Sequence, residues 1–181
     1  DGYVDLYLAN GGPTMDRFEP DLIMASNGDG TFAEISAYSG LHLAGKGHGP
    51  AMGDYDNDGD LDIYSPQGGV GGNAGNIQPN HLLRNRGTDG RWLVVQLQGR
   101  ASNRDAVGAV VVATMGERVH RATVDGGSGF GVTNSLPIEL GLGAARKVDH
   151  LRIDWPSGQT DHFYDVEANQ VLRVVEGSAQ D

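Results

Sequence analysis

From Gly53 to Tyr64 the chain reads Gly-Asp-Tyr-Asp-Asn-Asp-Gly-Asp-Leu-Asp-Ile-Tyr, with Asp54, Asp56, Asp58, Asp60 and Asp62 on alternate positions around Gly59. Unit charges ~4 Å apart repel by about 1 kcal/mol in water, and by several when partly buried. Five carboxylates in nine residues therefore call for a cation to let the segment fold tightly. Side chains at positions 1, 3, 5 and 9 of a curling loop converge on one point, and position 7 offers its carbonyl. The glycine at position 6 permits the sharp turn. The side chains of Asp54, Asp56, Asp58 and Asp62 and the carbonyl of Asp60 form an all-oxygen set, with the Asp60 carboxylate expected to point outward. Such a set selects a hard ion, and Ca²⁺ over Mg²⁺, which sheds its waters reluctantly.

The loop is not an EF-hand. Position 12 is Ser65 where that motif needs a bidentate glutamate between two helices. Here the loop runs straight into Leu61-Asp62-Ile63-Tyr64, a strand pattern, which suits a structural staple better than a sensor.

The chain opens with Asp1-Gly2-Tyr3-Val4-Asp5-Leu6-Tyr7, the second half of the same loop, so Asp1 and Asp5 form half a second site. The natural sequence is therefore expected to begin earlier. Asp21-Leu22-Ile23-Met24, followed by Asn27-Gly28-Asp29-Gly30-Thr31-Phe32, matches His81-Leu82-Leu83-Arg84, followed by Gly87-Thr88-Asp89-Gly90-Arg91-Trp92. Asp1 to Asp58 is 57 residues and Asp21 to His81 is 60, the difference falling in the glycine-rich stretch 68–76. A period of this size marks a propeller or another repeat array. One period holds four strand candidates, near 3–9, 20–25, 31–36 and 50–54, the number in a propeller blade. Residues 1–92 thus hold about one and a half blades. A longer natural chain or a partner chain must cover their edges.

Residues 93–181 differ in character. Short β runs at Ala109–Thr114, Arg118–Val124, Leu136–Leu140, Val148–Trp155, Thr160–Tyr164 and Val171–Val175 are separated by turns such as Met115-Gly116-Glu117 and Pro156-Ser157-Gly158. Leu151-Arg152-Ile153-Asp154-Trp155 alternates as a strand with one buried face does. These residues are expected to form a small β-sandwich, and no helix is expected anywhere. Trp92 takes the place of Phe32, so its ring is expected to pack into the final blade, with Leu93–Leu97 closing that blade and fixing the second domain rigidly to the first.

The loop and the Asn-Gly-Asp-Gly-Thr-Phe turn resemble the FG-GAP/VCBS repeat of β-propeller proteins. Ser102-Asn103-Arg104-Asp105-Ala106-Val107-Gly108-Ala109, Gly141-Leu142-Gly143, Trp155-Pro156-Ser157-Gly158 and Ala168-Asn169-Gln170 resemble an ASPIC/UnbV domain. In that order they match the cartilage acidic protein-like family. The resemblance implies an all-β chain, β-propeller-type blades followed by a β-sandwich-like domain, in a calcium-dependent, non-catalytic extracellular protein.

Composition narrows the function. A net charge of −11 opposes nucleic-acid binding, which wants a basic face. No run approaches the ~18 apolar residues of a membrane span. Cysteine is absent, which removes thiol catalysis and disulfide staples together; calcium can replace such staples outside the cell. An extracellular, cell-surface or periplasmic setting follows. Asp149-His150 and Asp161-His162 look like acid–base pairs, but neighbours in a strand face opposite ways. The six histidines show no zinc-ligand spacing. Gly40 to Lys46 has Gly47 where a phosphate loop needs Ser or Thr. Arg104-Asp105 is expected to brace its own turn. Tyr3, Tyr7, Tyr55 and Tyr64 flank the acidic loops, as packing between blades or as a platform for glycans. The expected partners are proteins, further copies of this chain, or glycans bound with the help of calcium.

Overall fold

The computed structural model describes residues 2–11, 19–41, 44–68, 78–87, 89–129 and 131–179. Strands β1 (Leu6–Leu8), β3 (Leu22–Ser26) and β4 (Phe32–Glu34) form one sheet, and β2 (Glu19–Pro20) pairs with β5 (Ala44–Gly45) beside it. Strands β6 (Ala51–Gly53), β7 (Asp62–Ser65) and β8 (His81–Leu83) form another. All pairings in these sheets are antiparallel. The β3–β4 hairpin is closed by Asn27-Gly28-Asp29-Gly30, with Asn27 N–H donating to Thr31 O and Thr31 N–H to the Asp29 carboxylate.

The blades are cut differently from the sequence expectation. The strand at 50–54 does not close the first sheet. As β6 it opens the second, pairing Gly53 with Asp62 across the acidic loop. Each of these two sheets shows three strands among the described residues, against the four of a propeller blade. A one-turn helix, α1 (Ser36–Ser39), follows β4, also against expectation. Four residues are too few to carry a helical period. Its hold is local: Ser36 Oγ accepts from Ile23 N–H, and Ser39 N–H donates to Ile35 O.

The second half is a β-sandwich. Strands β9 (Arg91–Gln98), β12 (Ile138–Gly143) and β15 (Gln170–Val175) make one sheet, in the order β12-β9-β15. Strands β10 (Val110–Met115), β11 (Arg118–Thr123), β13 (Lys147–Asp154) and β14 (Thr160–Glu167) make the other, in the order β11-β10-β13-β14. Between them Leu93, Val95, Val111, Ala113, Leu140, Leu142, Leu151, Ile153 and Val174 are buried. They sit on alternate positions of their strands because strand side chains alternate between faces.

Strand β9 therefore corrects the expectation for the join. It closes no blade: Leu93 pairs with Leu140 and runs parallel to Gln170 inside the sandwich. Its outward residues meet the repeats instead. A Cβ placed on Gly59 would collide with the Trp92 indole, so that ring lies against the turn of the acidic loop. Asn134 Oδ1 accepts from Met52 N–H at 3.0 Å and Ser135 N–H donates to Met52 O at 3.0 Å, covering the free edge of β6. At the chain's start Gly2 packs on Gly141, and the Arg118 guanidinium lies 5.2 Å from the centroid of the Tyr3 ring. The three-stranded sheet is thus a middle layer, with the sandwich core on one face and the repeats on the other.

The family motifs of this half knit one buried carboxylate into place. Glu176, 2% exposed, accepts from the N–H groups of Arg100, Ala101 and Ser102 at 2.7–2.8 Å and from the hydroxyls of Ser102 and Ser157 at 2.9 and 2.5 Å. Asp161, also buried, accepts from Trp155 Nε1 and Gly177 N–H. Asn103, rather than Arg104 or Asp105, closes the neighbouring turn through two bonds to the Val107 backbone.

Candidate metal centre

The chain between β6 and β7 folds back on itself, with Asn57 and Gly59 at positive φ of 60° and 95°. Asparagine and glycine are the residues that enter this region most readily. The fold-back brings carboxylate oxygens of Asp54, Asp56 and Asp58 within 4.8 Å of one another. Asp54 accepts from the N–H groups of Asp58 and Gly59, both at 3.0 Å. Asp58 accepts from Asp60 N–H at 3.1 Å. Asp56 Oδ1 is buried and has no hydrogen-bond partner.

Asp62 stands behind the triad. It is 2% exposed and brackets the site, accepting from Tyr55 N–H at 2.9 Å and Asn85 N–H at 2.8 Å. The Asp60 carboxylate lies outside the triad and reaches Gly87. In the first repeat Asp5 accepts from Ser26 N–H at 2.8 Å, the counterpart of the Asp62–Asn85 bond one period on. Asp1 lies outside the described residues.

One participant escaped the sequence reading. Arg84 Nε sits 2.5 Å from Asp56 and a terminal nitrogen of Arg84 3.3 Å from Asp58. Strand register sets Ala25 in that place in the first repeat, since Leu6 faces Met24 as Ile63 faces Leu83, one residue off the sequence alignment that put Met24 there. The loop's electrostatics agree with a crowded anionic site. Burial raises the Asp56 carboxyl, opposed by Arg84 and reinforced by Asp58 and Asp62. Burial also raises Asp60, with Asp58, Asp54 and Asp62 adding to it. Asp58 is held low, chiefly by Asp60 N–H.

These residues fit a hard divalent cation. The donors are all oxygen, they converge, and Asp56 Oδ1 among them has no hydrogen-bond partner.

Beside the loop a cleft of about 860 Å³ runs between the β6-β7-β8 sheet and the outward face of β12-β9-β15. Asp54, Tyr55 and Tyr64 line one wall and Val94, Glu139 and Arg173 the other. Burial raises the Glu139 carboxyl, against a hydrogen bond from Ser135 Oγ.

The remaining tyrosines divide. Tyr7 donates to the buried Asp21 at 2.6 Å, and burial, then that bond, push its hydroxyl up. Tyr3 covers Gly28. The acid–histidine neighbours separate as strand geometry requires: Asp149 accepts from Gly116 N–H and Asp161 holds Trp155, neither bonded to its neighbouring histidine. The histidines themselves do meet, because register brings His150 and His162 to a 2.8 Å contact that their spacing in the sequence does not show.

Comparison with known proteins now adds to this geometry. Residues 1–65 match the FG-GAP-like repeat and residues 99–181 match ASPIC and UnbV. This chain joins FG-GAP-like repeats to an ASPIC and UnbV domain. It is 27% identical over 157 residues to cartilage acidic protein 1 of Homo sapiens, and equally so to that of Mus musculus, an alignment covering 85% of this chain. The chain spans 23% of the length of those relatives. The triad lies within the FG-GAP-like match and the Glu176 knot within the UnbV match. Among the described residues no helix is long and apolar enough to cross a membrane.

Proposed function

We propose that this chain is a calcium-stabilised, non-catalytic scaffold of an extracellular, cell-surface or periplasmic protein. It engages other proteins, further copies of itself included, through the edges of its repeats. The observation that carries this reading is the Asp54–Asp56–Asp58 triad with its orphaned Asp56 oxygen. Asp54, Asp56 and Asp58 would hold the ion, with the Asp60 carbonyl and Asp62 completing the set. The bound Ca²⁺ supplies charge neutralisation, not a reaction. Extracellular calcium modules work with dissociation constants of about 10⁻⁴–10⁻³ M, which suits a staple that is always loaded outside the cell. The likeness to a protein named for cartilage and the lack of cysteine support that setting.

The test is thermal unfolding in calcium and in chelator. A ligand at 100 times its dissociation constant adds about 2.7 kcal/mol, so chelator should lower the melting temperature of the FG-GAP-like half by several degrees. Asp58→Ala should melt as the chelated wild type does. Equal melting temperatures in calcium and chelator would overturn the staple. Self-association rests on β1 and β4, which lie at the edges of their sheet, and unpaired edges invite strand addition. Light scattering and electron imaging in calcium should show filaments or discrete oligomers, and a monomer at every concentration would remove that part.

A second reading, calcium-dependent glycan binding, is favoured by the cleft. Tyr64 is 43% and Tyr55 68% exposed, beside Glu139 and Arg173. Flat aromatic faces with polar groups at their rim suit a neutral sugar. A glycan array probed with and without chelator decides it: calcium-dependent signal that Tyr64→Ala abolishes supports the reading, and a blank array sinks it.

A further inference from the structure

We propose that the outward face of the four-stranded sheet carries a second metal site, His150 with His162, for a borderline transition-metal cation, copper(II) foremost. His150 pairs with Tyr164 across β13 and β14, and Arg152 pairs with His162. That places the two histidines diagonally on one face, where long side chains meet. His150 Nε2 and His162 Nδ1 are 2.8 Å apart. The ring planes differ by 7° and the centroids are 5.1 Å apart. That separation equals the nitrogen–nitrogen distance plus one ring radius at each end. The rings therefore meet nose to nose, sharing one proton along the line of centres.

The pair is also held in place. The Tyr164 ring lies against His150, 4.8 Å between centroids and 10° between planes. Both strands are hydrogen-bonded on this stretch, so a ligand need not order them. Imidazole nitrogen is a ligand for copper, zinc and nickel, with copper(II) bound most tightly in the general order of affinities. Bonds of about 2 Å put two nitrogens on one ion about 3 Å apart at a right-angled metal. Turning each ring by about 45° from the shared axis aims both nitrogens at one ion with bonds of this length, and the ion replaces the shared proton. His162 is exposed, leaving the other coordination positions to water.

The charges around the pair permit this. On the same strand as His150, Arg152, the cross-strand partner of His162, has its Nε 3.2 Å from Asp154. Lys147, farther along β13, is paired with Asp165. From β10 the residue opposite His150 is the neutral Thr114. Calcium does not compete here, since a hard ion takes oxygen ligands. The two candidate sites are of opposite hardness, one on each half of the chain, and this proposal stands independently of the calcium reading.

The test titrates copper(II) into the purified chain in millimolar calcium, which keeps the acidic loop occupied. Electron paramagnetic resonance reports the nitrogens on the first copper bound, and calorimetry its affinity. The wild type should show two imidazole nitrogens and one tight equivalent. His162→Ala and His150→Ala should each leave one nitrogen and weaken that equivalent by about tenfold or more, because the second ligand acts at high effective concentration. His162→Asn, a milder change at an exposed position, should do the same while circular dichroism stays that of the wild type. An unchanged spectrum and affinity in these variants, copper then lying on other histidines or on carboxylates, would overturn the proposal.

Discussion

The two halves of this molecule differ in what they bury: mostly apolar side chains in the sandwich, with Asp161 and Glu176 among them, and polar ones in the repeats. Among the described residues every fully buried apolar side chain lies at or beyond Leu93, within the sandwich. The FG-GAP-like half buries Asp21, Ser36, Lys46, Asp62 and Ser65. Its own apolar residues stay partly in water: Leu6, Leu8, Phe32, Tyr64 and Leu82 are each 41–48% exposed. Burial of apolar area is the main driving force of folding. The sandwich therefore carries its stability within itself. The repeats lack such a core and rest on the sandwich face behind them, on the neighbours that repeat units need and, on the proposed reading, on a cation in the loop.

The strongest way to break this comparison is to damage the sandwich core. Leu151 is fully buried between the sheets. Leu151→Ala should cost about 2–5 kcal/mol, read from urea unfolding followed by Trp155 fluorescence. The repeats should fail with it, since Met52 and Gly59 rest on the sandwich. The reverse should not hold: chelator should loosen the repeats and leave the Trp155 transition in place. A single cooperative transition in both experiments would erase the distinction between the halves.

Next in size is the contact between them. Trp92 projects from the outward face of β9 onto Gly59 and is only half-buried. Trp92→Ala should cost about 2 kcal/mol, below the ~3–5 kcal/mol of a fully buried ring, and should weaken calcium binding because the ring backs the loop's turn. Slow proteolysis of the wild type around residues 90–100 would agree with a rigid join. Rapid release of two folded pieces would show a hinge.

How much of this was legible depended on how local the cause is. The acidic loop follows from alternating aspartates and one glycine, all within a dozen residues, and its fold-back was readable. The sandwich strands were readable because their faces alternate: Leu151, Ile153 and Trp155 point inward and Arg152 and Asp154 outward. Strand partners were not readable. The alternation of Trp92, Leu93, Val94 and Val95 suits the fourth place of a blade as well as the middle of a sandwich sheet, and only long-range pairing decides. The same holds for β6, whose three residues carry no label of the sheet they join. His150 and His162 are twelve residues apart in sequence, and only the β13–β14 register brings them together.

Acid tests the Glu176 knot without touching the sequence. Burial pushes the Glu176 carboxyl up, but the Ser157 hydroxyl and the N–H groups of Ser102 and Arg100 outweigh it and hold it at about 2, against an ordinary 4.5. A carboxyl held low in the folded state adds stability above its unfolded value and loses it as the pH falls through its folded one. The Glu176 contribution should thus stay constant from pH 7 to about 5 and be lost from 4.5 toward 2. In Glu176→Gln, melts at pH 7 and pH 3 should lie closer together than in the wild type. An equal acid response in both would assign it to other carboxylates.

The smallest effect concerns the arginine beside the acidic loop. Arg84 is 63% exposed, yet its guanidinium lies on Asp56 and Asp58. Those carboxylates raise its pKa, Asp58 through its hydrogen bond and then Asp56 through its charge. It is thus a built-in cation that neutralises part of the loop and must move aside when a metal enters. An exposed ion pair holds its charges weakly, so the competition is mild. Arg84→Gln should tighten calcium by about two- to tenfold. In chelator the same variant should melt slightly below the wild type, because the bare triad then repels itself. Calorimetric titration and paired melts give both signs. Tighter calcium with lower chelated stability marks Arg84 as a stand-in for the ion. Weaker calcium would make it a support for the carboxylates instead, and the dependence of the repeats on their surroundings would then include an arginine that works with the metal.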